Sequence, residues 1–180
     1  MEQILDEDSL SLHSRHSVLR ERIVEHVFVA DVLRRLWQLG ITDAEVLRSE
    51  FDAGGYDIVV SRGRITRHIQ LKTLTAGGRA NEVKIGLALA EKPSGCVIWI
   101  VVTPDLEIES YLWFGAEPGN ALPDISLLKV AKHTKGNAFG EKAHRPNHRL
   151  LPKSKFVGLN SIDDVLEKLL GIGRATEIAG

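Results

Sequence analysis

The chain has 180 residues, of which 43% are hydrophobic and 26% charged, a composition that suits one globular domain with a sizeable core. It contains no apolar stretch long enough for a membrane span, and its polar, acidic N-terminus lacks the apolar segment of a signal peptide. The single cysteine, Cys96, excludes an intramolecular disulfide and a multi-cysteine zinc site, so we expect a reducing, cytoplasmic location.

Charge is distributed unevenly, although the net charge is only −1. Acidic residues predominate up to Asp31, whereas residues 129–155 contain eight Lys and Arg residues against one acid, Glu141. Such a basic segment can form a phosphate-binding face, or it can be a solvated loop. Charge alone does not decide between the two.

The N-terminal part of the chain is predicted to be a tail followed by a helix. We expect residues 1–16 to be flexible and residues 17–180 to form a single domain. HSVLRERIVEHVFVADVLRRLWQLG is typical of a long amphipathic helix that ends at Gly40. The apolar residues that recur at helical spacing are Val18, Ile23, Val27, Ala30, Leu33 and Trp37.

Strands are predicted for the middle of the chain. EVLRS, YDIVV and ITRHIQLKTL read as three strands, and SRGR forms a hairpin turn between the second and third. EVKIGLALAEKPSG predicts a short extended piece that runs into a helix ending near Lys92. CVIWIVVTP should be a central strand, and ESYLWFG another.

A second helix is predicted near the C-terminus, after the basic segment, which we expect to be mostly loop. SIDDVLEKLLG indicates a helix over residues 161–170, with Ser161 as its N-cap and Gly171 as its stop. The order of helices and strands predicts an α/β sandwich around one mixed sheet.

Three polar side chains are predicted to converge on the central hairpin. Alternate residues of a strand share a face, so Gln70 and Lys72 point the same way, about 7 Å apart. Asp57 opens the preceding strand, and hairpin pairing can bring it beside them. An acid and an ammonium at the end of buried strands are costly without partners.

A divalent metal ion would provide such a partner. Mg²⁺ prefers oxygen ligands and takes one or two from protein side chains, with waters and phosphate completing its shell. The Asp57 carboxylate, the Gln70 side-chain oxygen and the Leu71 backbone carbonyl form a reasonable set. Lys72 would then orient the attacking water and stabilise the charge that develops on a phosphate.

This pattern resembles the PD-(D/E)XK nuclease superfamily. A glycine-containing turn precedes Asp57 at a strand start, a hairpin follows, and Gln70-Leu71-Lys72 occupies the next strand. RSEFDAGGYDIVV followed by RHIQLKT is closest in style to the restriction-endonuclease-like and Holliday-junction-resolvase-like branches. The resemblance covers about residues 18–115. One departure is Gln70, which stands where a glutamate is usual and lowers the negative charge of the site.

The resemblance implies a restriction-endonuclease-like αβββαβ core, in which helices flank a central mixed sheet. It also implies a Mg²⁺- or Mn²⁺-dependent DNA endonuclease that hydrolyses phosphodiester bonds and acts as a homodimer. In that superfamily a helix before the strands often supplies a glutamate to the site. Glu25 matches it, and Glu21, one turn earlier, is the alternative.

Several assignments stay open at the level of sequence. Asp52 could replace Asp57, although a turn role fits Asp52 better. His68 shares the face of Gln70 and Lys72 and is either a phosphate contact or a plain strand residue. In the basic segment, side chains that can donate to DNA phosphates are Lys132, Lys135, Arg145, Asn147, Arg149 and Lys153.

Two other functions compete with the nuclease. The first is a catalytically silent module of the same fold that binds DNA or a protein partner, which Gln70 favours. The second is an α/β binding domain unrelated to nucleases, in which Asp57 and Lys72 would lie far apart.

Overall fold

Two α-helices and nine strands form in the residues that the computed structural model describes, namely 15–50, 54–132 and 143–173. In chain order they are α1 (Ser17–Gln38), β1 (Ala44–Arg48), β2 (Ile58–Arg62), β3 (Ile65–Thr75), β4 (Glu82–Gly86), β5 (Gly95–Val102), β6 (Ile108–Gly115), β7 (Val130–Lys132), β8 (His144–Pro152), β9 (Val157–Leu159) and α2 (Ile162–Leu170). The predicted tail lies almost wholly outside the described residues.

The main sheet is mixed, as predicted, and has the strand order β1-β2-β3-β5-β6-β9. Its strands pair antiparallel except for β3 and β5, which run parallel with Gln70 opposite Val97. The predicted hairpin joins β2 to β3, with Ile58 opposite Ile69 and Gly63 in the turn at a positive φ of 57°. The chain is therefore an α/β protein.

Different layers cover the two faces of this sheet. One face packs against both helices, through residues such as Phe28 of α1, Ile69 of β3 and Leu166 of α2. The other packs against a second sheet of order β4-β8-β7, through Trp99 of β5 and Leu151 of β8. The expectation of flanking helices thus holds for one face only, because a small sheet occupies the other.

The connection between the parallel strands β3 and β5 contains no α-helix in the described residues, so the predicted helix ending near Lys92 is wrong. The chain instead forms β4 and then a single 3-10 turn, Leu87–Leu89. β4 pairs with β8, which lies far along the chain, with Val83 opposite Leu151. This distant pairing, and the burial of Leu89 in the core, override the local helical preference of LALAEK.

The basic segment is also more ordered than predicted. Its described residues include β7, β8 and a 3-10 turn at Lys153–Lys155, where mostly loop was expected. β8 gains its partners from β4 on one side and β7 on the other. Neither partner can be recognised from the local sequence around β8.

Helix α1 has its core face on the opposite side from the apolar residues chosen in the sequence. The buried residues are Val24, Glu25, Phe28, Val32 and Leu36. By contrast, Trp37 is 74% exposed, and Val18, Ile23 and Leu33 are exposed as well. The predicted apolar stripe is therefore wrong as the core face, because α1 carries apolar residues on two sides. The helix itself and its end at Gly40, whose φ is 71°, are confirmed.

The caps predicted for the second helix are present in α2. The Ser161 hydroxyl accepts a hydrogen bond from the Asp164 backbone N–H at 3.2 Å, and Gly171 ends the helix in the left-handed region. Neither helix in the described part of the chain is long and apolar enough to cross a membrane.

A fully buried arginine joins the sheet to α2. The Arg67 guanidinium on β3 donates to the Ser94 hydroxyl at 2.6 Å, to the Ala116 carbonyl at 2.8 Å and to the Lys168 carbonyl at 3.0 Å. It also stands 5.0 Å from the centre of the Trp113 ring. Burial lowers the pKa of Arg67 and raises that of the neighbouring Cys96 thiol to about 12.

Candidate metal and substrate site

Along half of β3, one edge has no partner strand among the described residues, and we call this part the open edge. β2 pairs with β3 only from Ile65 to Ile69, whereas β3 continues to Thr75. Asp57 stands where this pairing ends: its backbone N–H donates to the Ile69 carbonyl at 2.9 Å. The next hydrogen bond along β3 is made by the Asp57 side chain instead of the backbone, because the Leu71 N–H donates to the carboxylate oxygen Oδ2 at 2.6 Å. A carboxylate thus occupies the place of the next strand residue.

This hydrogen bond fixes the Asp57 carboxylate against the predicted motif. Leu71 is the middle residue of Gln70-Leu71-Lys72, so the carboxylate lies at the strand between the amide and the amine. The N–H and the carbonyl of one strand residue point to the same side of the strand. The Leu71 carbonyl therefore faces the same open edge as the Asp57 carboxylate.

A pocket of about 330 Å³ opens at this edge, and Asp57 and Lys72 both line it. Lys72 is half-buried and forms no ion pair with any residue in the described ranges. Its ammonium is therefore not held by a distant carboxylate there. The remaining polar groups of this pocket come from α1, from the residues that follow β1, from the turn before β2 and from β3, and they are Glu21, Arg22, Glu25, Ser49, Glu50, Tyr56 and Thr73.

Gln70 borders a different space. Its side chain is only 7% exposed, and the oxygen Oε1 is buried without a hydrogen-bond partner among the described residues. Gln70 lines a neighbouring pocket of about 460 Å³, on the side of the second sheet. The structure thus brings Asp57 and Lys72 to one pocket and places Gln70 at its border with the next.

Glu25, the predicted helix glutamate, already has partners. Glu25 is 7% exposed and lines the pocket of Asp57 and Lys72. Its carboxylate pairs with Arg22 at 3.2 Å and with Arg48 at 3.4 Å. The second contact is an ion pair without hydrogen-bond geometry, since Glu25 Oε1 has no hydrogen-bond donor in the described residues. Glu21, the alternative, also lines the pocket but is exposed and pairs with Arg20 at 3.8 Å.

The proposed DNA-contact residues are distributed over the second sheet. Lys132, Asn147 and Lys153 are exposed, and Arg145 is half-buried. Arg149 donates to three backbone carbonyls, those of Ser126, Pro146 and His148, so its guanidinium supports the local chain. Lys135 and Asp52 lie outside the described residues.

His68 has local partners. Its Nδ1 lies 3.0 Å from the Pro93 carbonyl, and its ring contacts the edge of Tyr56 at 4.9 Å between centroids. These contacts favour the plain strand role for His68 over a phosphate contact.

The donors at the open edge fit a weakly held hard cation. No group of three His, Cys, Asp or Glu side chains that could hold a metal occurs in the residues that the structure describes. The open edge instead offers the Asp57 carboxylate and the Leu71 carbonyl, and the unpartnered oxygen of buried Gln70 lies at the border with the neighbouring pocket. All are oxygen donors, as Mg²⁺ and Mn²⁺ require, but they carry a single negative charge.

Sequence reasoning missed the pocket beside Gln70. Asn147 and His148 of β8 line it together with Gly86 of β4 and Glu91. These residues meet only because β8 pairs with β4, so no spacing along the chain indicates the contact.

No family model matches the sequence, and no curated protein is significantly similar to it.

Proposed function

We propose that the chain is a Mg²⁺- or Mn²⁺-dependent DNA endonuclease related to the PD-(D/E)XK superfamily. The observation that carries the proposal is the Asp57 carboxylate hydrogen-bonded to the Leu71 N–H, directly between Gln70 and Lys72. We would not expect an unrelated α/β domain to bring the Asp57 carboxylate and the Leu71 carbonyl to one open strand edge. Nor would we expect it to place beside them Lys72, a lysine that has no described ionic partner.

Each residue of the site has a separate role in the proposed hydrolysis. Asp57, the Leu71 carbonyl and Gln70 would hold the cation, which withdraws charge from the oxygens of the scissile phosphate when it is bound. Lys72 orients a water at the pocket and donates to the phosphate as negative charge develops on it. Glu25 pairs with Arg22, which lines the pocket and can contact the substrate phosphate, and it supplies a second carboxylate from the helix side.

Cleavage assays test this proposal directly. Purified protein is incubated with duplex, single-stranded and branched DNA in Mg²⁺ or Mn²⁺, with EDTA as the blank. Lys72→Met should lower the rate by at least about 100-fold, because it removes transition-state stabilisation worth several kcal/mol. Lys168→Met is the matched control: this lysine pairs with Glu117 at 3.6 Å and lines neither pocket, so its loss should leave the rate unchanged. Absence of cleavage of every DNA form by the wild type refutes the activity.

A catalytically silent DNA-binding module is the second candidate, and two observations favour it. Gln70 lowers the charge of the metal site, and Glu25 is already neutralised by two arginines. Titration with Mn²⁺ separates the two candidates. An enzyme should bind Mn²⁺ in a way that Asp57→Asn weakens at least tenfold, because the carboxylate that is hydrogen-bonded to the Leu71 N–H at the open strand edge is lost. A silent module should show no such metal binding.

The proposal includes a homodimer, as the resemblance implies. The outward face of α1 supports it, since Leu19, Ile23, Leu33 and Trp37 are all exposed there. Their spacing of four, ten and four residues keeps them on one side of the helix, as pairing with a second helix requires. Sedimentation equilibrium should give a dimer that Leu33→Lys converts to a monomer, whereas a monomeric wild type contradicts this part of the proposal.

A further inference from the structure

The pocket beside Gln70 has the size and polarity of a binding site for a small uncharged group. Its volume of about 460 Å³ falls within the range of ligand pockets. The polar residues that line it are Gln70, Glu91, Asn147 and His148, which between them carry hydrogen-bond donors and acceptors. Gln70 is more than nine-tenths buried, and its Oε1 has no described partner.

The charges of the two neighbouring pockets differ. Of the described residues that line the pocket beside Gln70, none is lysine or arginine, and Glu91 adds a negative charge. A phosphate is therefore disfavoured in it. The pocket of Asp57 is lined by four carboxylates but also contains Lys72 and Arg22, whose N–H groups can donate to a phosphate.

The two pockets adjoin along the same two chain segments. Gly55 lines one and Tyr56 the other, just as Gln70 lines one and Leu71 the other. Consecutive strand residues point to opposite faces, but Gln70 and Lys72 share one face of β3, about 7 Å apart. A group bound beside Gln70 and a phosphate bound beside Lys72 can therefore belong to one nucleotide.

From this arrangement we infer that the pocket beside Gln70 takes an unpaired nucleobase, so that the substrate is DNA with a single-stranded, mismatched or extruded nucleotide at the scissile phosphate. The inference rests on the proposed function and deepens it by naming the substrate class. Amides and carboxylates recognise bases through the hydrogen-bonding edges that pairing normally occupies. Extruding a paired base costs a few kcal/mol, and the cost is least where the base is already unpaired.

Gly86 offers a way to fill the pocket without disturbing the fold. It lines the pocket, and a Cβ built on it would approach only one described atom, the Gly55 Cα, at 3.7 Å. Its φ of −83° and ψ of 141° suit a β-branched residue. Gly158→Val is the matched control, because Gly158 is also in a strand, a Cβ there meets nothing within 4 Å, and it lines neither pocket.

The experiment uses DNA that carries the fluorescent base 2-aminopurine at an unpaired position, with EDTA present so that no hydrolysis occurs. Anisotropy of a distant dye reports DNA binding, and 2-aminopurine emission reports the base itself. Binding should raise the emission, because the base leaves its stacked neighbours for a pocket whose described lining residues include no Phe, Tyr or Trp. Wild type and Gly158→Val should also bind this DNA at least about tenfold more tightly than the fully paired duplex.

Gly86→Val should abolish both the emission change and the preference for unpaired DNA, while weak duplex binding persists. Asn147→Leu, a change at an exposed side chain, repeats the test if Gly86→Val does not fold. If DNA binds without any emission change, or if neither variant alters that change, the inference is overturned and the proposed function stands. If anisotropy detects no DNA binding at all, the DNA-binding function and the inference fail together.

Discussion

Gln70→Glu tests the proposed metal site through protein stability rather than through activity. Gln70 is 7% exposed, and its Oε1 lacks a described hydrogen-bond partner. The substitution introduces a buried carboxylate next in sequence to Leu71, whose N–H already donates to the carboxylate of Asp57. Without metal the new charge is both desolvated and repelled.

The expected effect follows from these contacts. Without metal, Gln70→Glu should lower the free energy of unfolding by about 2–4 kcal/mol at pH 7, as uncompensated burial of a charge does. Burial and Asp57 raise the pKa of the introduced carboxyl above about 4.3, its value in the unfolded chain. The loss is therefore present in full above the raised pKa and disappears as the pH falls below about 4.

Metal should reverse the loss, because two carboxylates bind a divalent ion better than one carboxylate and one amide. At a free concentration of 100 times the dissociation constant, binding stabilises the folded state by about 2.7 kcal/mol. Gln70→Met is the control: it removes the unpartnered oxygen and should change stability by less than about 1 kcal/mol, with no gain from metal.

The assay is urea unfolding followed by circular dichroism, with EDTA and with Mn²⁺. If Gln70→Glu is as stable as the wild type in EDTA, the Gln70 side chain is not buried as described. If Mn²⁺ stabilises Gln70→Glu no more than the wild type, Gln70 and Asp57 do not share a cation.

Three further predictions concern the fold. Arg67→Met should lower the free energy of unfolding by about 3–5 kcal/mol in urea titrations, because the Ala116 and Lys168 carbonyls lose their buried donor. A loss under 1 kcal/mol would show that these hydrogen bonds do not stabilise the fold. Cys96 should resist iodoacetamide at pH 8 until the protein unfolds, because burial holds the pKa of its thiol at about 12, and rapid native-state alkylation would show that the thiol is accessible. Ser161→Ala should cost about 1 kcal/mol through loss of the cap to the Asp164 N–H, whereas Ser126→Ala, an exposed position outside any helix, should cost less than half of that.

The parts of the fold that follow local rules could be predicted from the sequence. Alternation and turn residues placed β2 and β3, and the resulting hairpin positions Asp57 against Leu71. The caps of α2 were also readable, since Ser161 and Gly171 act within one turn of the helix ends. These features depend on neighbours close in sequence.

What the sequence did not reveal depends on distant partners. The segment that became β4 and a 3-10 turn has good helix formers, but its strand exists because β8 pairs with it. The core face of α1 was misassigned because apolar residues occupy two sides of the helix, and only packing on the sheet selects Phe28 over Trp37. Gln70 and Lys72 likewise line different pockets because β8 forms part of one pocket and α1 part of the other. The two-residue spacing of Gln70 and Lys72 does not indicate this.

The Asp57 carboxylate also ends the backbone hydrogen-bond ladder along one edge of β3. Beyond Ile69, one edge of β3 has no partner strand among the described residues, and such an edge can pair with a strand from another molecule. By accepting from the Leu71 N–H, the Asp57 side chain ends the ladder at this edge. Loss of that carboxylate, as in Asp57→Ala, should therefore lower colloidal stability in addition to any effect on the proposed cleavage. A carboxylate at this position would then protect the protein against aggregation whether or not a metal ion binds to it.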